Sequence, residues 1–328
     1  MTRGVGMIEA HGLARSFRAR GKEIAAVRGV DLDVAAGELV GFLGPNGAGK
    51  TTTLRMLTTL LRPMAGRAVV AGRDLAADPV GVRRRIGYVA QGGGTIPESR
   101  VLEDLVMQGR LHGMGKADAT AQARAVGERL DLGELLERPV KSLSGGQRRR
   151  LDIALGLVHR PDLVFLDEPT SALDPRSRAN VWEHIRALRA DLGTTVFLTT
   201  HYLDEADALC DRVLVIDNGE IVATGSPAEL KAKVSGDLVS VGVPELALSR
   251  TAEIAGRIAG GDAVSTSDNT VEFRVPRGDL ALPELLRALD AAGISTTSLR
   301  VHQPTLDDVF LTLTGRTIRD AEEAEVAA

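Results

Sequence analysis

The run Gly44-Pro45-Asn46-Gly47-Ala48-Gly49-Lys50-Thr51 fits the pattern G-x-x-x-x-G-K-[ST]. The chemistry of such a run is phosphate binding. Glycines let the backbone curl so that successive N–H groups face one anion, and the N-terminus of a following helix adds a favourable dipole. The lysine reaches the β- and γ-phosphates of a nucleotide, and the hydroxyl of the residue after it ligates Mg²⁺. A second run, Leu163-Val164-Phe165-Leu166-Asp167-Glu168-Pro169, drives four apolar residues into a core and brings Asp167 out at the end. Ligands of open α/β sheets gather at that edge. Asp167 is placed there to hold Mg²⁺ through water, and Glu168 to accept a proton from an attacking water. Alone, Asp-Glu-Pro is a common strand-end turn; its pairing with the glycine loop gives it this meaning. A third run, Leu143-Ser144-Gly145-Gly146-Gln147, opens a helix with a second anion-binding end. One nucleotide does not need two such ends. Two chains arranged head to tail would use both, each nucleotide lying between one chain's glycine loop and the other's Ser144 segment.

These runs need a frame. Residues 1–230 alternate strand-like and helix-like patterns, the mark of an α/β domain. Glu38 to Leu43 predicts a strand entering the glycine loop. Leu54, Leu57 and Leu61 follow at helical spacing, and Pro63 stops the run. The apolar runs Leu163–Leu166, Val196–Leu198 and Val213–Ile216 predict strands buried on both faces of a parallel sheet. A helical subdomain is expected over residues 92–142, its pattern broken at Gly113 and Gly115. A second, α+β domain is expected over 231–315. It reads as a strand over Leu238–Val243 and a helix over Ala247–Ala259. A hairpin then joins Ala263–Thr266 to Val271–Val275. Leu282, Leu285, Leu286 and Leu289 make one helix face, and the last strand covers Ile294 to Val301. That order, β-α-β-β-α-β, is ferredoxin-like. Residues 316–328 predict a flexible tail.

The 328 residues suffice for one large core and one smaller one, at roughly 100–200 residues per domain. Forty basic and 44 acidic side chains leave a formal charge of −4, against a nucleic-acid binder. Aromatics at 3% are too few for a base-stacking platform. Cys210, the lone cysteine, cannot form an internal disulfide and is expected to be a small buried side chain. No stretch approaches the roughly 18 apolar residues of a membrane span, and Met1 to Gly12 lacks a signal-peptide core. A soluble cytosolic chain is expected, reaching a membrane only through partners.

With its motifs in this order, the chain resembles the nucleotide-binding subunits of ABC transporters over residues 7–230. The Walker A loop is Gly44–Thr51. The glutamine loop is Tyr88-Val89-Ala90-Gln91, the signature Leu143–Gln147, and Walker B Leu163–Asp167. The D-loop is Ser171-Ala172-Leu173-Asp174, and the switch histidine is His201 in Thr199-Thr200-His201. The resemblance implies a P-loop ATPase fold, ATP and Mg²⁺ as ligands, and Glu168 as general base. It implies that Lys50, Thr51 and Thr52 contact the phosphates, with Mg²⁺ held by Thr51, Gln91 and Asp167. Gln91 would sense the γ-phosphate, His201 would hold it together with the attacking water, and Asp174 would cross a dimer interface. Phe17 takes the place of the usual adenine-stacking tyrosine. His11 and His184 read as satisfied core residues at strand ends, and Arg148-Arg149-Arg150 as a solvated helix face. The segment Pro304–Gly315 looks like the terminal motif of the daunorubicin-resistance type of exporter ATPase. Export of a hydrophobic drug, antibiotic or lipid is then expected. Pairing would be with a second cassette and two separate membrane subunits, on the cytoplasmic face. The alternative is a soluble ABC ATPase outside transport. Against it, no heptad insertion of the DNA-repair type and no second glycine loop of the translation-factor type appears.

Overall fold

The computed structural model describes residues 6–19, 21–234, 236–260, 264–318 and 320–321. They divide into two compact units. One ends at Pro227; the other runs from Ala228 to Thr317, and Ile318, Asp320 and Ala321 group with the first.

In the first unit, chain order is β1 (Gly6–Ala19), β2 (Lys22–Ala35), β3 (Leu39–Leu43), α1 (Lys50–Leu57), β4 (Ala65–Val70) and β5 (Arg73–Asp74). Next come α2 (Pro79–Arg85), β6 (Ile86–Val89), α3 (Val101–Leu111), α4 (Lys116–Arg129) and α5 (Gly145–Leu157). The unit closes with β7 (Leu163–Asp167), α6 (Pro175–Leu192), β8 (Thr195–Thr200), α7 (Leu203–Leu209), β9 (Arg212–Asp217) and β10 (Glu220–Gly225). The larger sheet has the order β10-β9-β3-β8-β7-β6. Its strands β9, β3, β8, β7 and β6 are parallel, and β10 adds an antiparallel edge. Every residue of β3, β7 and β8 is buried. This is why these runs are continuously apolar rather than alternating. Phe42, Phe165 and Phe197 meet at the centre of that sheet, with ring centroids 5.6 and 5.7 Å apart.

A second sheet, β2-β1-β4-β5, is antiparallel. Its long β1–β2 hairpin carries several register shifts. These bulges break the period-two alternation by which a strand is recognised in sequence.

From α8 (Pro227–Lys231), whose first residue closes the first unit, the second unit runs through β11 (Asp237–Gly242), α9 (Leu248–Ile258), β12 (Ser265–Ser267), β13 (Thr270–Val275), α10 (Gly278–Ala291), β14 (Ser298–His302) and α11 (Leu306–Thr314). Its sheet order, β12-β13-β11-β14, is antiparallel throughout, as the ferredoxin-like reading requires. Details differ from the sequence reading. The last strand starts at Ser298, because Ile294 still donates its N–H to Leu289 at the close of α10. On α10, Ala281, Leu285 and Leu289 are buried, while Leu286 is 41% exposed. One residue further along a helix turns a side chain by about 100°, out of the stripe. Ala263 of the expected hairpin lies outside the described residues, as does most of the expected tail. Of the described tail residues, Ile318 and Ala321 are buried.

Phe273 sits fully buried at the centre of the second unit. Phe273→Ala should lower the stability of that unit by about 3–5 kcal/mol, read in urea unfolding. A change below about 1 kcal/mol would show that this core is not cooperative.

Candidate functional site

At the carboxyl end of β3 the chain turns directly into the glycine loop. A Cβ on Gly44 would collide with the carbonyl oxygen of Ile216. One on Gly49, where φ is +105°, would collide with that of Ala26. Only glycine lets the loop pass so close to its neighbours. Lys50 opens α1 and folds back, its Nζ donating to the carbonyls of Gly44 at 2.7 Å and Pro45 at 2.9 Å.

The strand β7 delivers two consecutive carboxylates to the same place. Thr51 Oγ1 donates to Asp167 Oδ1 at 3.1 Å, and Thr199 Oγ1 donates to the same oxygen at 2.7 Å. Glu168 Oε1 lies 3.6 Å from Lys50 Nζ and 3.3 Å from His201 Nδ1. The His201 contact falls short of hydrogen-bond alignment. Gln91 Nε2 donates to Glu168 Oε2 at 2.9 Å. Burial raises the pKa of Glu168, but His201 and the charge of Lys50 outweigh it, and the carboxyl ends below its ordinary value.

In a regular strand, successive side chains point to opposite faces. Here both acids reach the first turn of α1, because Glu168 leaves the strand at φ +44°. Its N–H donates to the Thr199 carbonyl at 3.1 Å and the Thr199 hydroxyl at 3.0 Å. From the other side, Arg149 donates to the carbonyls of Pro169 (2.6 Å), Ala90 (2.8 Å), Asp167 (3.0 Å) and Glu168 (3.2 Å).

Arg149 corrects the sequence reading of the triple-arginine run. Arg148 is exposed, but Arg149 is only 7% exposed. A guanidinium carries five donors in a fixed fork, enough to replace water when several carbonyls surround it. The available signal was positional: residues three and four apart share a helix face, and Arg149 shares one with buried Asp152 and Ile153. Thr199 was also missed as a contact residue, having been read only as part of the motif around His201.

The loop residues Pro45, Asn46, Gly47, Gly49, Lys50, Thr51 and Thr52 line one cavity of about 360 Å³ together with Gln91 and Glu168. Other expected residues lie outside that lining. Phe17, on β1, is 40% exposed, with the Arg15 guanidinium over its ring at 5.3 Å. Ser144 caps α5 in a reciprocal pair of hydrogen bonds with Gln147, and both Ser144 and Gly145 face solvent. Asp174 is exposed and caps α6, accepting from the N–H groups of Arg176 and Ser177.

The model of the ABC transporter family matches residues 27–171, and that of the C-terminal domain of DrrA1-3-like ATP-binding proteins matches residues 225–314. Daunorubicin resistance ATP-binding protein DrrA3 of Streptomyces coeruleorubidus is 45% identical over 91% of this chain and 94% of its own length. The chain belongs to the ATP-binding proteins of the ABC transporter family. A daunorubicin/doxorubicin resistance ATP-binding protein of Streptomyces peucetius is 44% identical over 98% of this chain and 96% of its own. Among solved structures, the dimeric ATP-binding cassette MJ0796, in a post-hydrolysis state bound to ADP and Pi, superposes with a TM-score of 0.62. It is 25% identical, covering 67% of this chain and 98% of that one. This ABC protein is an ATPase whose hydrolysis of ATP is coupled to transport. Among the described residues, no helix is long and apolar enough to cross a membrane.

Arg149→Met should remove the donor from four carbonyls at once and destabilise the first unit by about 3 kcal/mol or more, read as a fall in the urea midpoint. An unchanged midpoint would mean that water can replace the guanidinium there.

Proposed function

We propose that this chain is the ATPase subunit of an exporter of a hydrophobic drug, antibiotic or lipid. In this reading two copies pair, and they drive two separate integral-membrane permease subunits from the cytoplasmic face. No nucleic acid takes part. The names of the drug-resistance relatives support the cargo class. The observation that carries the site assignment is the convergence of Lys50, Gln91 and His201 on Glu168, next to Asp167 and Thr51.

The residues present fit Mg²⁺. Thr51 and Asp167 offer adjacent hard oxygen donors, and no cluster of three or more His, Cys, Asp or Glu side chains competes among the described residues. A few protein oxygen donors suit an ion that keeps waters and phosphate oxygens as its remaining ligands. Thr51, Asp167 and Gln91 would hold it, and when bound it neutralises charge on the phosphates.

In the reaction, the Gly44–Thr52 segment and Lys50 grip the phosphate chain, and Phe17 offers a face to adenine. Glu168, held ionised by its neighbours, accepts the proton of the attacking water. His201 steadies the γ-phosphate and that water, and Gln91 links the filling of the site to the membrane subunits. The second helix end, Ser144-Gly145-Gly146-Gln147, is supplied by the other copy, and Asp174 crosses between the copies. The exposure of Ser144 and Gly145 at the start of α5, outside the cavity lining, supports that arrangement.

Glu168→Gln should lower turnover by about 100-fold or more while leaving ATP binding intact, and ATP should then trap a dimer visible by size exclusion. Turnover equal to wild type would remove Glu168 from the role of base.

A further inference from the structure

Just beyond Glu168, Thr170 is fully buried, and its hydroxyl donates to Glu205 Oε1 at 2.8 Å. The same oxygen accepts the indole N–H of Trp182 at 3.0 Å. Glu205 is itself fully buried. It stands in the first turn of α7, which starts immediately after His201 and Tyr202. Trp182 stands on α6, the helix capped by Asp174. One carboxyl group therefore ties together three segments: the chain leaving Glu168, the helix behind the D-loop, and the segment carrying the switch histidine.

A second tie runs alongside. The Arg178 guanidinium of α6 lies 4.1 Å from the centroid of the Tyr202 ring and pairs with Asp204 at 3.3 Å. The Tyr202 ring in turn lies 4.1 Å from that of His201. Burial pushes the Glu205 carboxyl up, against the pull of Thr200, Thr170 and Trp182 and the charge of Arg178. A carboxyl buried this deeply is costly unless its hydrogen bonds are made. An apolar side chain of similar size would avoid burying a carboxyl but would leave the Thr170 hydroxyl and the Trp182 N–H without their acceptor.

We propose that Glu205 is a positioning residue of the ATPase reaction. Through Thr170 and Trp182 it locks the His201 segment to the loop leading to Asp174, so that the histidine and the loop at the interface move as one body. The proposal rests on the roles given above to His201 and Asp174. Its consequence is that a shift of the loop at Asp174, produced by the other copy, is delivered to the histidine within this one.

The test compares Glu205→Gln with Glu205→Leu in the full chain. The amide oxygen of Gln can still accept from Thr170 and Trp182, whereas Leu leaves both donors unpaired. Wild type and Glu205→Gln should agree in kcat within about threefold, while Glu205→Leu loses about 10–100-fold in kcat with KM for ATP nearly unchanged. Trp182 is the sole tryptophan, so its emission reports this tie directly. ATP should shift that emission in wild type and in Glu205→Gln, and fail to shift it in Glu205→Leu. If Glu205→Leu does not fold, Thr170→Val removes a single donor at nearly constant volume and should lower kcat without raising KM. A Leu variant, or a Val variant in its place, with wild-type kcat overturns the proposal. So does a Gln variant as impaired as Leu. Wild-type protein that hydrolyses no ATP would overturn the functional reading itself, and is distinguished by that control.

Discussion

The structure depends on one backbone conformation. Glu168 is held at φ +44°, which costs a side-chain-bearing residue about 1–3 kcal/mol, and it persists because its surroundings leave no alternative. Thr199 takes its N–H on one side, and Arg149 takes the carbonyls before, at and after it on the other. The result is chemical. Two adjacent acids that a straight strand would send to opposite faces both meet the first turn of α1. The fully buried strands β3, β7 and β8 are rigid posts that keep this meeting in register.

That arrangement also sets a charge problem. At the cavity Lys50 lies 3.6 Å from Glu168, Asp167 is bonded to the neighbouring Thr51, and the Lys50 ammonium donates to loop carbonyls. A triphosphate arriving there adds anionic charge to a site that already carries it. A divalent cation and further N–H donors are needed for tight binding, and a helix N-terminus is a ready source of such donors. Besides the start of α1, the chain offers one at Ser144, but it is outside the cavity lining and exposed. The ABC cassettes to which the chain is similar include one solved as a dimer.

Much of this was legible in the sequence because it rests on local chemistry. The glycine loop needs its glycines for contacts that a Cβ would block, so the loop declares itself. The central strands are apolar on both faces, so they stand out as continuous runs. The caps of α11, Thr305 at one end and Gly315 at the other, lie where their residue types predict. What was hidden depends on long-range contacts. Arg149 reads as a surface cation until four carbonyls from distant segments close round it. The β1–β2 hairpin is masked by its bulges, and Leu286 belongs to an apolar pattern that the helix does not bury. Glu205 has no distinguishing sequence context beyond the first turn of a helix; only the fold brings Thr170 and Trp182 to it.

In the proposed arrangement the cavity around Glu168 is half of a site, completed by the Ser144 end of another copy. Mixing two inactive chains tests it most directly. Lys50→Ala removes the loop's cation, and Ser144→Arg blocks the helix end. Each variant alone should be inactive, since every site in its dimer carries a defect. In an equal mixture, half of the pairs combine the two variants, and each such pair holds one intact site. ATPase activity on the order of a quarter of wild type should return. Two variants that stay inactive when mixed, or a Ser144→Arg chain that is fully active alone, would contradict the account.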